Sequence, residues 1–130
     1  MVILKNYDSS WDLDGNEEQF NKKFIEWENR SWEEWLNDNL NYPFQVKRVE
    51  DDDDVYFSDT AKKEPFRLGH VMKAVSIDME DDTYGIILKV REGKRVGAVP
   101  LCEVEVTLKD NDNYWPIREY AVWFANREWF

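Results

Sequence analysis

The sequence is poor in residues that usually announce chemistry. It holds one cysteine, Cys102, and one histidine, His70, among 130 residues. A single thiol excludes an internal disulfide, and one His with one distant Cys makes no transition-metal cluster. In its strand pattern Cys102 reads as a small buried residue, not a nucleophile. There are five glycines. Gly85, Gly93 and Gly97 fall in strand or hairpin patterns, so no glycine-rich phosphate loop is present. Ser9, Ser10, Ser31, Ser58 and Ser76 stand in no nucleophile-elbow context. Long apolar runs are missing, which excludes a spanning helix. Met1-Val2-Ile3-Leu4-Lys5 lacks the pattern of a secretory leader. A cytoplasmic, non-enzymatic protein is the expectation.

What is present is aromatic and acidic. Aromatics make up 15% of the chain, with seven tryptophans. That is enough to build one core, so residues 1–130 are read as a single domain. The net charge is −11, and it is unevenly placed. Asp8 to Asp59 carries 16 acidic against 5 basic residues, whereas Thr60 to Phe130 carries 12 against 11. Such a field repels nucleic-acid phosphates and anionic lipid, and attracts cations or basic protein surfaces. Neither a nucleic-acid nor a membrane partner is expected.

Periodicity divides the chain in three. Residues 1–16 lack a clear period and read as a loose or docked N-terminal segment. Residues 17–40 read as helical: Phe20, Phe24 and Trp27 are four and three apart, on one face. Ser31-Trp32-Glu33-Glu34 matches a capping box, marking a second helix from Trp32 to about Asn39. Pro43 ends the helical region. Residues 43–127 read as β structure. Val71, Lys73, Val75 and Ile77 alternate on one side, and Asp78 to Asp82 reads as a turn. A hairpin follows from Tyr84 to Pro100 with its tip at Glu92-Gly93-Lys94, then a strand around Val104 and Val106. Glu119 to Asn126 is expected to be the last strand. The predicted class is α+β, with an N-terminal helix or helix pair packed on a small antiparallel SH3-like barrel.

Four pieces of the last third occur in a particular order. They are Tyr84-Gly85-Ile86, Val99-Pro100-Leu101-Cys102-Glu103-Val104-Glu105, Asn113-Tyr114, and Val122-Trp123-Phe124-Ala125-Asn126-Arg127. That order resembles the cyanobacterial calcium-binding family typified by CcbP, over about residues 32–127. The resemblance implies a small acidic protein with a compact β domain and calcium ions as its ligand.

Calcium takes six to eight oxygens from carboxylates, carbonyls and water. Two acidic segments follow predicted strands: Asp51, Asp52, Asp53 and Asp54, and then Asp78, Glu80, Asp81 and Asp82. If their loops converge, the two could share an ion, which would relieve their mutual repulsion. Standing alone, an acidic run is more often a solvated loop; the family resemblance reverses those odds. The alternative function is an SH3-like interaction module whose acidic face binds a basic or extended peptide partner. An EF-hand is not supported, because Ser10 and Asn21 occupy the first and twelfth ligand positions around Asp12, Asp14 and Gly15. Trp27, Trp32 and Trp35 have core spacing, while Trp115, Trp129 and Phe130 are the candidates for exposed aromatic surface.

Overall fold

A computed structural model describes residues 7–49 and 65–127. The aromatic spacing near the N-terminus does produce helices. α1 spans Glu17–Glu28 and buries Phe24 and Trp27. α2 spans Trp32–Asn39 and buries Trp32 and Leu36. The expected capping box is not formed: Ser31 is extended and makes no side-chain cap bond. From Tyr7 onward the N-terminal segment is docked, with a 3₁₀ turn at Ser10–Asp12 that buries Trp11.

Five strands follow: β1 Phe44–Arg48, β2 Val71–Asp81, β3 Gly85–Glu92, β4 Arg95–Pro100 and β5 Val104–Val106. Their order in the sheet is β4-β3-β2-β1-β5, and every pair is antiparallel. β4 and β5 occupy opposite edges and are joined by a 3₁₀ turn, Leu101–Glu103. The pairing therefore leaves an open sheet among the described residues, not a barrel closed by hydrogen bonds. Gly93, at φ +62°, takes a backbone conformation suited to the tight β3–β4 turn.

Two segments depart from expectation. β2 continues through Asp81, so residues 78–81 are strand and the turn is shifted to residues 82–84. Its pairing with β3 has register irregularities between Ala74 and Ser76, and between Ile77 and Met79. A bulge shifts the side-chain alternation, so simple period-two counting fails beyond it. Ile77 thus pairs with Leu88 and is half-buried, while Val71, Lys73 and Val75 stay exposed.

The second departure is larger. Residues 114–126 form a helix, α3 (Tyr114–Asn126), where a last strand was expected at 119–126. Tyr120, Val122 and Phe124 alternate, but Ile117, Tyr120 and Phe124 also recur at helical spacing, three and four apart. Pro116 sits in the helix's first turn, where its missing N–H costs no intrahelical bond. The helical face wins because it buries Trp115, Ile117, Glu119 and Tyr120. Trp115 is therefore core and not exposed surface, while Trp129 and Phe130 lie outside the described residues.

α3 packs on the Leu101–Glu103 turn and β5, and α2 touches both β2 and α3. Aromatic edges join these layers, with Trp32 to Tyr120 and Trp32 to Trp123 centroids each 5.3 Å apart. A second aromatic group docks the N-terminal segment. Tyr7 stacks on Trp115 at 4.9 Å, and Trp11 meets Trp27 edge-on at 5.0 Å.

Candidate functional site

The acidic end of the sheet is built by the β2–β3 connection. Asp78, Glu80 and Asp82 are exposed there and Asp81 is half-buried. Asp81 is committed to the turn: its Oδ2 accepts from the Thr83 and Tyr84 amides, each at 2.8 Å. A carboxylate held by two amides shapes the loop and keeps its other oxygen for a ligand. Asp51 to Asp54 lie outside the described residues. Among the described residues no three His, Cys, Asp or Glu side chains converge as a metal group would require.

Beside that turn lies a groove of about 860 Å³. It is lined by Glu33 and Glu34 from the first turn of α2, by Glu80 and Asp81 from the end of β2, and by Asp82 from the β2–β3 turn. Trp32, Tyr120, Trp123 and Phe124 also line the groove. The joint of sheet and helix here is tight. The Tyr120 hydroxyl accepts from the Ile86 amide at 2.9 Å. A Cβ on Gly85 would collide with that hydroxyl and with the Phe124 ring, and Gly85 has φ +71°. Glycine is thus required at the foot of β3. Burial raises the Tyr120 phenol to about 12, even with the Ile86 bond opposing it.

Glu33 and Glu34 were not among the expected site residues. The S-x-x-E pattern assigned Glu34 to helix capping, and nothing in the sequence places the start of α2 opposite residues 80–82. That neighbourhood is set by sheet register and by α3, which reads as a strand from alternation alone.

The remaining candidates have structural partners. Asp12, in the EF-hand-like piece, forms an ion pair with Arg118 through contacts of 2.9 and 3.2 Å. His70 Nδ1 lies 3.0 Å from Glu92, which also accepts from the Phe66 amide at 2.7 Å. Cys102 is half-buried in the 3₁₀ turn and not in a strand. Glu103, in the same turn, is buried and paired with Arg48.

A family model for CcbP, described as calcium binding, matches residues 22–124. The chain belongs to the CcbP calcium-binding family. The match reaches back into α1, earlier than the motif pieces that first suggested it. The crystal structure of CcbP from Anabaena superposes with a TM-score of 0.55 at 19% identity, covering 72% of this chain and 71% of that one. The two share a fold. No curated protein matches this chain. Among the described residues no helix is long and apolar enough to cross a membrane.

Proposed function

We propose that this CcbP-family protein binds calcium through its acidic loops, and buffers or senses the ion without catalysing a reaction. Membership of a calcium-binding family is the observation that carries the reading. The β2–β3 connection supports it by presenting Asp78, Glu80 and Asp82 to solvent beside a turn that Asp81 holds in place. These residues alone fall short of the six to eight oxygens calcium takes, so Asp51 to Asp54, water and backbone carbonyls are assigned the rest. Calcium would then stabilise the folded protein by ligand linkage. The strand order, with a 3₁₀ turn linking the two edge strands, supports the finer description of the sheet as SH3-like. A cytoplasmic location belongs to the same reading.

The test is a calcium titration followed by backbone amide NMR, repeated with magnesium and with added monovalent salt. Saturable shifts centred on residues 50–59 and 78–83, selective for calcium, are expected. Small non-saturating shifts that magnesium or salt reproduces would reduce the acidic loops to diffuse counterion screening.

A further inference from the structure

The groove between α2 and the β2–β3 connection has properties that a solvated acidic face does not need. Glu33, Glu34, Glu80 and Asp82 come from separate elements, and none of their carboxylates has a hydrogen-bond or ion-pair partner among the described residues. The nearby Arg30 does not neutralise them, because its guanidinium is taken by Glu26 and by the buried Glu119. Aromatic rings share the lining with these carboxylates, where a hydrated surface would carry polar side chains. The fourth property is an orphan donor. Trp32 lines the groove, is only 7% exposed, and its indole Nε1, itself buried, has no acceptor among the described residues. Buried donors are almost always satisfied, so an unpaired one at a groove marks a place for an incoming acceptor.

We propose that this groove docks an extended segment of a partner protein bearing lysine or arginine side chains. The cationic groups would sit among Glu33, Glu34, Glu80 and Asp82. Their alkyl stems or guanidinium planes would lie on Trp123, as Arg30 lies over Trp35 with 3.8 Å from guanidinium carbon to ring centroid and as Arg127 lies over Phe124 at 3.9 Å. A small movement of the Trp32 ring would offer its N–H to a backbone carbonyl of the segment. An extended chain presents carbonyls and alternate side chains together, which is the combination this lining matches. Charge complementarity selects the occupant: the groove carries five carboxylates against two arginines. Glu80 and Asp82 are also among the proposed calcium ligands, so calcium would compete with the segment for them.

The experiment is fluorescence anisotropy of a labelled peptide in which Lys and Arg alternate with apolar residues. It uses the full chain, with chelator present and at about 0.15 M salt, so that exposed charges beyond the groove are screened. Saturable binding is expected. Glu33→Gln with Glu34→Gln, and separately Glu80→Gln with Asp82→Asn, should each weaken it about tenfold. Trp32→Phe, which deletes only the indole ring's extra bulk and N–H, should weaken it roughly three- to tenfold. Glu17→Gln with Glu18→Gln removes the same charge from α1, outside this groove, and should change the affinity less than about twofold. Equal losses in the α1 and groove variants would overturn the proposal in favour of non-specific attraction. Absence of binding to the unaltered chain would overturn it outright. The carboxylate variants lie on the surface, so the decision does not depend on Trp32→Phe folding well.

Discussion

Two carboxylate-bearing regions flank the same aromatic core, and they are built on opposite principles. At one, Glu119 of α3 is 2% exposed and fully engaged. Its Oε1 accepts from Trp27 Nε1 at 2.7 Å and from Arg30 Nη1 at 2.8 Å, its Oε2 accepts from the Tyr7 hydroxyl, and Lys23 Nζ stands 3.7 Å away. The Tyr7 oxygen in turn accepts from Trp11 Nε1 at 2.9 Å. Burial first, and the neighbouring carboxylate second, push the Tyr7 phenol far above its ordinary range. One buried charge thus gathers the N-terminal segment, α1 and α3. At the other region, Glu33, Glu34, Glu80 and Asp82 line an open groove with no partner among the described residues. The buried carboxylate is spent on the fold. The open ones are left for something outside it.

The largest predicted effect comes from confusing the two. Glu119→Ala would leave Arg30 partly uncompensated and two indole or phenol donors without acceptors. Breaking a buried pair from one side costs about 3–5 kcal/mol. Glu26 still holds Arg30, so about 3 kcal/mol is expected here. Glu33→Gln in the groove should change stability by less than about 0.5 kcal/mol. Urea denaturation of the two variants beside the parent chain measures the contrast. A cost at Glu33 comparable to that at Glu119 would break the comparison.

The same division runs through the tyrosines, with an intermediate effect. Tyr120 is bonded to Ile86, whereas the buried Tyr42 hydroxyl has no partner among the described residues. Burial raises both phenols to about 12 from 10. A raised folded-state pKa means that, between those values, the folded chain holds protons the unfolded chain has lost. Stability should therefore be complete below pH 10 and fall as pH rises from 10 toward 12. Near neutral pH, Tyr120→Phe should cost about 1–3 kcal/mol by stranding the Ile86 amide, whereas Tyr42→Phe should be close to neutral. Each variant should also flatten the alkaline slope. Denaturation midpoints from pH 8 to pH 12 check the sign. A slope unchanged in both variants would show that other groups govern alkaline unfolding.

Legibility in the sequence followed whether a residue's role was local. α1 and α2 were readable because Phe20, Phe24 and Trp27, and then Trp32 and Leu36, carry their own periodicity. The β3–β4 hairpin was readable because Gly93 announces its turn. The C-terminal helix was not, since its aromatic content satisfies both periods and only burial against β5 and the 3₁₀ turn decides between them. The acidic character of residues 78–82 was readable, but their place on a bulged strand end was not. Glu119, in a segment that alternates like a strand, gave no sign that it would meet Trp27 and Arg30 across about ninety residues of chain. The calcium-binding family was legible from short ordered motifs. The groove opposite the β2–β3 turn was not, because its Glu33–Glu34 wall is brought there by tertiary packing alone.

The smallest predicted effect separates local pattern from tertiary role most cleanly. Ser31-Trp32-Glu33-Glu34 has the spacing of a capping box, which would tie Glu34 to the start of α2. In a formed box, replacing the Ser costs typically about 1 kcal/mol, and the Glu shares in that stabilisation. Here the Ser31 side chain makes no cap bond and Glu34 lines the groove. Ser31→Ala should therefore cost less than about 0.5 kcal/mol. Glu34→Gln should lose only a few tenths through the helix dipole, a loss that relief of repulsion from Glu33 offsets. The double variant should equal the sum of the singles, because no bond couples the two side chains. Urea midpoints of the two singles and the double decide the matter. A coupling of about 0.5 kcal/mol or more would restore Glu34 to the helix cap and remove it from the set of free carboxylates that distinguishes the groove from the Glu119 cluster.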